Sequence, residues 1–172
     1  MSKSPVLDRR HVLLGAAGTL ALTACGPRDA AAANSGSDQR VKDSPFRTVS
    51  DAEWKRRLPD ESYRILRHEA TERAGTGPLL NEKRKGVFAC RGCDLPLFKS
   101  EWKYESGTGW PSFFDTIKEN VGTKTDFKIG MARTEYHCAR CLGHQGHIFK
   151  DGPRPTGLRY CNNGHALKFI AA

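Results

Sequence analysis

Four of the six cysteines form two C-x-x-C pairs, a spacing suited to binding a metal ion. Cys90 and Cys93 form the first pair, and Cys138 and Cys141 form the second. Each pair places two thiols on one tight turn, and two such turns can complete a tetrahedron around Zn²⁺. We therefore predict one structural zinc ion per chain. The alternatives are two disulfides or a redox-active motif, although a redox C-x-x-C normally opens a helix after a strand, and the sequence around these pairs lacks that pattern.

A further cysteine, Cys161, lies near the carboxyl end in the segment Leu158–Asn163. If this segment is a strand, its side chains alternate and Arg159, Cys161 and Asn163 share one face. A neighbouring guanidinium favours the thiolate, which is the reactive form of cysteine, and Asn163 would supply a neutral hydrogen-bonding group. The residues alone leave two interpretations open: a buried space-filling thiol or a nucleophile.

The remaining cysteine, Cys25, follows a pattern typical of an export signal. Arg9 and Arg10 precede an apolar run, Val12–Ala24, that is shorter than the roughly 20 residues needed to cross a bilayer. We predict a signal peptide over residues 1–24. The tetrapeptide ending at Cys25 resembles a bacterial lipobox, which predicts lipidation of its thiol; an ordinary secretory leader is the alternative. The arginine pair also resembles a twin-arginine signal, although a plain basic leader would look similar.

The helices and strands that position these cysteines and their neighbours are predicted to begin after residue 45. Residues 26–45 lack apolar periodicity and are predicted to be a flexible linker, followed by one domain over residues 46–172. A capping box at Ser50–Glu53 predicts helices that are interrupted at Pro59. After Leu80, short apolar segments separated by glycine and proline predict antiparallel strands and a mainly β fold. These segments are Gly86–Ala89, Phe127–Ile129, His147–Phe149, Leu158–Cys161 and Leu167–Ile170.

Length and composition narrow the classes of protein. The chain has 172 residues, which allows one ordinary domain with extensions. Apolar residues at 38% and charged residues at 27% exclude collagen, a long coiled coil and a multispan membrane protein. The formal charge of +9 would suit nucleic acid or an anionic membrane surface. Because the chain carries an export signal and has no basic–aromatic stacking pattern, we predict no nucleic-acid partner.

Several longer motifs resemble one enzyme family. They are Ser106–Phe113 (SGTGWPSF), Gly143–Phe149 (GHQGHIF), Asp151–Pro153 and Pro155–Asn163 (PTGLRYCNN). With both C-x-x-C pairs, they make the chain similar to the zinc-containing form of methionine sulfoxide reductase B, which acts on the R epimer of methionine sulfoxide. The resemblance implies two antiparallel β-sheets packed with short N-terminal helices and a pair of zinc knuckles.

The resemblance also implies catalytic roles. Cys161 matches the nucleophile that attacks the sulfoxide sulfur and becomes a sulfenic acid. His144 and His147 match the imidazoles that bind and protonate the sulfoxide oxygen. Without the resemblance, the Gly-His-Gln-Gly-His segment would be interpreted as a polar turn or as zinc ligands. The segment does not predict a zinc-dependent hydrolase, because it lacks the glutamate of the H-E-x-x-H motif.

Four other positions acquire roles in the same way. Trp110 matches the indole that packs against the substrate's S-methyl group, although a lone tryptophan is more often a core residue. Arg159 matches a residue that supports the thiolate, and Asn163 one that holds a water network. Thr108 stands where many members have a resolving cysteine. We therefore expect an external thiol, such as a thioredoxin-like protein, to reduce the sulfenic acid.

These observations give one leading prediction and two alternatives. The leading prediction is a monomeric reductase in the bacterial cell envelope, on the periplasmic side and anchored in the membrane through lipidated Cys25. It would repair oxidised methionine in envelope proteins. The first alternative is an exported zinc-binding module without enzymatic activity. The second is a thiol–disulfide oxidoreductase that uses its C-x-x-C motifs.

Overall fold

The structure is a computed structural model that describes residue 41 and residues 43–172. The predicted signal peptide, Cys25 and most of the predicted linker lie outside these residues. In the described part of the chain, no helix is both long enough and apolar enough to cross a membrane.

Two short helices open the domain. Helix α1 (Asp51–Arg57) begins after Ser50, whose hydroxyl accepts a hydrogen bond from the Glu53 amide, as the capping box predicts. Helix α2 (Asp60–His68) follows directly. Pro59 separates the two, because the residue before a proline is disfavoured in the helical conformation; Leu58 is accordingly extended. Trp54 and the apolar face of α2 are buried, so both helices pack on the domain core.

Two antiparallel sheets form the rest of the described chain. In chain order, the strands are β1 (Gly86–Cys90), β2 (Pro96–Lys99), β3 (Lys103–Tyr104), β4 (Ser112–Phe113), β5 (Val121–Asp126), β6 (Arg133–Cys138), β7 (His144–Phe149), β8 (Arg159–Asn162) and β9 (Leu167–Ala171). The three-stranded sheet has the order β2-β1-β9, and the six-stranded sheet the order β3-β4-β8-β7-β6-β5. Short 3₁₀ turns lie at Pro45–Arg47, Ser100–Trp102, Lys118–Asn120 and Gly164–Ala166. The predicted mainly β fold with two sheets and short N-terminal helices is confirmed.

Aromatic side chains fill the core between the sheets. Phe88 and Phe98 come from the three-stranded sheet, and Phe113, Tyr136 and Tyr160 come from the six-stranded sheet. The rings of Phe98 and Phe113 stack with centroids 4.1 Å apart, while Tyr136 and Tyr160 meet edge to face at 5.4 Å. Each such ring contributes about 1.5–3 kcal/mol on burial, so this layer holds the second sheet, which carries Cys161, rigidly against the first.

One predicted strand is wrong. The segment Phe127–Ile129 lies in the turn between β5 and β6, and its apolar side chains are exposed. The sequence pattern also does not predict strands β2 to β6. In the case of β5, Val121–Asp126 is mostly polar and forms the exposed edge of its sheet. An edge strand needs few apolar residues, so hydrophobic pattern is a weak signal there.

Candidate functional site

Strand β8 places Cys161 in the interior of the six-stranded sheet. Its register partner on β4 is Ser112, and its partner on β7 is His147. Residues directly opposite one another in an antiparallel pair project from the same face, with Cβ atoms about 4.5–5.5 Å apart. The pairing of β7 with β8 therefore brings the thiol of Cys161 and the imidazole of His147 together. The thiol is partly exposed, unlike the four other cysteines in the described residues.

A cavity of about 130 Å³ opens at this position. Its lining includes four of the residues predicted from sequence: Cys161, Trp110, His147 and Asn163. The other lining residues are Thr71, Arg133, Gly146, Phe149 and Asn162. Neither His144 nor Arg159 is among the lining residues, so the structure places these two predicted site residues behind the cavity wall.

His147 is oriented by a carboxylate. Its Nε2 lies 2.7 Å from Oδ2 of Asp126, and the same oxygen accepts a hydrogen bond of 2.5 Å from Arg133. A main-chain bond from Lys128, the bond with His147 and the Arg133 guanidinium hold the pKa of Asp126 well below its usual range. Because an ionised carboxylate only accepts hydrogen bonds, Nε2 carries the proton in this contact. Nδ1 is then the His147 nitrogen left for a ligand or water.

His144 lies behind His147. The two rings meet nearly edge to face with centroids 5.5 Å apart. Nδ1 of His144 is 3.0 Å from Oε1 of Glu135, within ion-pair distance but without hydrogen-bond geometry, and both side chains are only 3% exposed. Burial lowers the pKa of His144, and the Glu135 charge opposes that shift. His144 therefore contacts the cavity through His147 rather than directly.

The segment that carries both histidines is a strand, not the polar turn that the residues alone suggested. Within β7, the register with β6 shifts between the pair Tyr136–Gly146 and the pair His137–His144. Gln145 is the extra residue of this bulge. A bulge breaks the alternation of side chains, which accounts for His144 and His147 meeting on one side of the sheet although they are three residues apart.

Arg159 forms a bidentate ion pair. Its Nε and Nη2 each lie 2.8 Å from an oxygen of Asp151, and its guanidinium stacks on Phe149 at 4.3 Å. Burial raises the pKa of the Cys161 thiol, while the charge of Arg159 and hydrogen bonds from Thr108 and Arg159 act in the opposite direction. Burial dominates, so the thiol pKa lies above its ordinary value. The expected support from Arg159 is present, but it offsets only part of the effect of burial.

A chain of hydroxyl groups leads to the thiol. Oγ of Ser106 lies 2.8 Å from Oγ1 of Thr108 and 2.8 Å from Oγ of Ser112. The Thr108 hydroxyl is one of the groups that act to lower the pKa of the Cys161 thiol. The Ser112 hydroxyl donates to the carbonyl of Trp110 at 3.1 Å, so the part of the chain that can donate toward the sulfur runs from Ser106 to Thr108. Thr108, which stands where many members of the similar family have a resolving cysteine, therefore offers a hydroxyl donor to the Cys161 thiolate.

Glu72 supports the opposite wall of the cavity and was missed from the sequence. Its main-chain carbonyl accepts the indole N–H of Trp110 at 3.1 Å, and its own N–H donates to Oδ1 of Asn163 at 3.0 Å. Its buried carboxylate accepts the amides of Gly164 at 2.7 Å and His165 at 3.0 Å. These bonds join Trp110, Asn163 and the turn after Cys161. His165 enters this network through its main chain.

Asn163 fixes the strand that carries the histidines. Its Nδ2 and its main-chain N–H both donate to the carbonyl of Gln145 at 3.0 Å. The next residue, Gly146, packs so close to β8 that a Cβ there would lie 1.9 Å from the carbonyl oxygen of Cys161. Glycine is therefore required at 146 by the close approach of the two backbones.

The four paired cysteines form one buried cluster. Cys90 ends β1 and Cys138 ends β6, and the second cysteine of each pair lies in the following turn. All four Sγ atoms lie within 4.8 Å of one another, with Cys90–Cys141 at 3.6 Å and Cys93–Cys138 at 3.4 Å. In both turns, the residue after the second cysteine has positive φ and donates its N–H to the carbonyl of the first cysteine. Two equivalent knuckles from two sheets therefore converge on one point.

Positively charged donors surround this cluster. Three guanidinium groups bind main-chain carbonyls of the two turns: Arg47 on Ala139 at 2.7 Å, Arg67 on Cys141 at 3.0 Å and Arg140 on Cys93 at 3.1 Å. The buried amide of Gln145 donates to Sγ of Cys90 at 3.4 Å. Four thiolates around a divalent cation leave two negative charges, so this positive surrounding suits a metal-loaded cluster.

The residues missed from the sequence share one property. Glu72 contacts the site mainly through its main chain and the turn after Cys161, and Asp126 contacts it through His147. Neither residue belongs to a short sequence motif that indicates a reaction. Thr71, Arg133 and Phe149 line the cavity from three separate elements. Asp151 was included in a quoted motif, but only the structure pairs it with Arg159. Spatial proximity of residues far apart in sequence was the missing information.

Comparison with known proteins gives a consistent family assignment. The SelR domain family matches residues 58–171. The chain is 51% identical over 127 residues to the peptide methionine sulfoxide reductase MsrB of Agrobacterium fabrum, which covers 73% of this chain and 94% of the relative. It is 54% identical over 121 residues to the MsrB of Leptospira interrogans, covering 70% and 92%. The chloroplastic peptide methionine sulfoxide reductase B1 of Arabidopsis thaliana is 52% identical over 134 residues, covering 77% and 66%.

Proposed function

Because this chain belongs to the SelR domain family and is a peptide-methionine (R)-S-oxide reductase, we propose that Cys161 is the nucleophile that takes the oxygen from the substrate. The observation that carries this assignment is the shared cavity of Cys161, His147 and Trp110. It provides a thiol, a proton-carrying imidazole and an apolar ring around one space large enough for a single side chain.

The first half-reaction transfers one oxygen atom. The Cys161 thiolate attacks the sulfoxide sulfur while the oxygen receives a proton from the His147 side of the cavity. The attack forms a bond between the Cys161 sulfur and the substrate sulfur and turns the oxygen into a hydroxyl group. That hydroxyl then moves to the Cys161 sulfur as the S–S bond and the S–O bond of the substrate both break, so methionine leaves as the thioether and Cys161 becomes a sulfenic acid. The substrate sulfur is reduced by two electrons and Cys161 is oxidised by two. Asp126, which is held ionised beside Nε2, fixes the orientation of the ring.

Trp110 provides the basis for selecting the epimer. Its indole N–H is bound by the Glu72 carbonyl, which leaves the apolar ring face for a ligand. A methyl group packs well on such a face, whereas the polar sulfoxide oxygen is drawn to the imidazole on the other side. With the methyl group and the oxygen assigned to opposite walls, only one configuration at sulfur leaves the sulfur atom open to Cys161 while the rest of the side chain leads out of the cavity.

The central test is the variant Cys161→Ser. We expect loss of turnover of the R-sulfoxide, with unchanged circular dichroism and unchanged metal content, because the cluster lies apart from Cys161. Both sulfoxide epimers should be assayed with a dithiol reductant, and the wild-type enzyme should reduce only the R epimer. Substantial activity in the serine variant would overturn the assignment.

We further propose that an external thiol regenerates Cys161 directly. The described cysteines other than Cys161 are buried in the cluster, and Thr108 stands where many family members have a resolving cysteine. Two external thiols would convert the sulfenic acid to the thiol, releasing water and a disulfide. After one turnover without reductant, we expect a dimedone adduct on Cys161 in the intact protein. A disulfide from Cys161 to a cluster cysteine would contradict this route.

The cluster fits a zinc ion. Tetrahedral Zn–S bonds of about 2.3 Å place sulfur atoms about 3.8 Å apart, close to the observed contacts of 3.4 and 3.6 Å. Cys90, Cys93, Cys138 and Cys141 would hold the ion. With all four positions occupied by thiolates, it would supply structural cross-linking and no open site for chemistry. Metal analysis of purified protein should give one zinc per chain; iron or no metal would refute this assignment.

We also propose that the enzyme is exported and lipid-anchored through Cys25. The support is the sequence pattern alone, a short apolar run behind Arg9 and Arg10 that ends at Cys25. Its substrates would then be oxidised methionines in envelope proteins. Metabolic labelling with a fatty-acid analogue should mark the wild-type chain and not Cys25→Ser. Equal labelling, or a cytosolic wild-type protein, would contradict this proposal.

A further inference from the structure

The turn between β5 and β6 carries unusually exposed apolar side chains. Phe127, Ile129 and Met131 are 67%, 60% and 60% exposed, and no other large apolar side chain of the described residues exceeds 46%. We call these three residues the hairpin tip. Lys128 and Gly130 separate them in the sequence, so the residues between them provide no apolar side chain for them to pack on. Clustered exposed apolar groups of this kind mark contact surfaces more often than inert surface.

The hairpin tip is built onto the wall of the catalytic cavity. At its base, Asp126 and Arg133 are register partners, and Arg133 lines the cavity. One oxygen of Asp126 binds His147 and Arg133, and the other accepts the Lys128 amide at 2.8 Å. The same carboxylate therefore orients the catalytic imidazole and fixes the turn.

A second contact fixes the direction of the hairpin. The ammonium groups of Lys124 and Lys128 both pair with Glu69, which ends α2. Thr71, two residues after Glu69, is itself a lining residue of the cavity. The hairpin is thus tied on both sides to elements that form the cavity, which places its apolar residues beside the cavity rather than on a remote surface.

The occupant that fits this surface is the substrate's own polypeptide. A cavity of about 130 Å³ has the volume of roughly four water molecules and accepts one side chain, so the residues flanking an oxidised methionine must lie outside it. Methionine is among the residues most often buried in folded proteins, so a polypeptide that has opened to expose an oxidised methionine exposes other apolar residues as well. Burying them against an apolar surface stabilises the complex.

Building on the proposed function, we propose that the hairpin tip binds apolar residues flanking the oxidised methionine, so that the enzyme favours sulfoxides in apolar stretches of extended polypeptide. The test uses two peptides of equal length with a central methionine (R)-sulfoxide, one flanked by leucine and valine and the other by serine and glycine. For the wild-type enzyme, we expect a KM about tenfold lower for the apolar peptide, with similar kcat.

The variant replaces all three residues, Phe127→Ser, Ile129→Ser and Met131→Ser. We expect its KM values for the two peptides to agree within about twofold, and its kcat/KM for the serine–glycine peptide to stay at the wild-type level. Ile170→Ser is the matched control, because Ile170 is 45% exposed on β9 of the other sheet. That control should keep the full preference.

Several outcomes would overturn the proposal: a wild-type enzyme without preference, a triple variant that keeps it, or an Ile170→Ser chain that loses it. Binding to vesicles of anionic lipid that depends on the hairpin tip, with peptide preference unchanged in the triple variant, would assign the surface to a membrane instead. Equilibrium binding of both peptides to the Cys161→Ser variant tests the hairpin tip independently of the proposed role of Cys161 as nucleophile. Preferential binding there supports the hairpin tip even if Cys161 proves not to be the nucleophile.

Discussion

The indole nitrogen of Trp110 donates a hydrogen bond of 3.1 Å to the main-chain carbonyl of Glu72. Through its carboxylate, Glu72 also accepts the amides of Gly164 and His165, which follow the nucleophile in the chain. The residue that fixes the apolar wall of the cavity thus also fixes the end of strand β8. The positions of Trp110 and of the turn after Cys161 therefore depend on one buried residue, through its main chain and its carboxylate respectively.

We expect Glu72→Gln to lower kcat/KM for the R-sulfoxide about tenfold or more, because an amide cannot accept both bonds as a carboxylate does. Hydrogen bonds to charged groups contribute about 1.5–3 kcal/mol, so the thermal midpoint should also fall. Steady-state kinetics and calorimetry would measure both effects. Glu119→Gln, an exposed position, is the control and should behave as wild type. Wild-type kinetics in Glu72→Gln would show that the network does not position the site.

The hydroxyl of Thr108 predicts a pH effect. The pKa of Cys161 is raised by burial, so the thiol is mainly protonated at neutral pH and its reactivity should rise with pH until that pKa is passed. Removing a donor to the thiolate raises the pKa further. We expect Thr108→Val to move the pH profile of Cys161 alkylation upward by about one pH unit.

The control for this experiment is Thr108→Ser, which keeps the hydroxyl and should keep the profile. The measurement is the rate of iodoacetamide modification of Cys161 in metal-loaded protein, since the cluster thiols are buried. Identical pH profiles of alkylation for Thr108→Val and the wild-type enzyme would show that Thr108 does not affect the reactivity of Cys161.

Removing the metal should destabilise the whole domain. The cluster joins the end of β1 to the end of β6 and thereby links the two sheets. Ion binding at such a site is part of the folding free energy. We expect chelation to lower the thermal midpoint by about 10 °C or more, corresponding to a loss of about 3 kcal/mol or more. An unchanged midpoint after verified metal loss, with Cys161→Ser as a parallel sample, would contradict a structural role.

Gly146 gives a steric prediction. A Cβ there would lie 1.9 Å from the Cys161 carbonyl oxygen, so Gly146→Ala must push β7 and β8 apart. We expect a loss of about 1–3 kcal/mol of stability and a marked drop in kcat, because His147 and Cys161 face each other across these strands. Gly92→Ala is the matched control, since its nearest contact would be an ordinary 3.5 Å. Equal stability of the two variants in urea unfolding would refute the close approach.

The sequence predicted both helices and four of the nine described strands, β1, β7, β8 and β9, because their apolar residues follow a clear pattern. Phe127–Ile129 was misassigned because exposed apolar residues in a turn look like a strand, while β5 was missed because an edge strand can be polar. The cysteine cluster could be predicted, since C-x-x-C spacing directly encodes the geometry of a turn. The roles of Glu72 and Asp126 could not, because they arise from contacts such as that of Glu72 with Asn163, 91 positions along the chain.

The placement of the histidines illustrates the same limit. Both were recognised as candidates, yet only His147 lines the cavity, and His144 is buried beside Glu135. A regular strand would have placed the two on opposite faces. The bulge at Gln145 decides their arrangement, and a bulge leaves no clear mark in a single sequence.

The five described cysteines differ sharply in their access to solvent, since four are sealed in the cluster and Cys161 opens onto the cavity. A small diffusing oxidant such as peroxide therefore encounters Cys161 first. The product of that encounter is the sulfenic acid that we propose as the intermediate of turnover, so the proposed external thiol would reduce it as well. Among the described cysteines, the fold thus exposes the one whose oxidation an external thiol would reverse and buries the four that form the cluster.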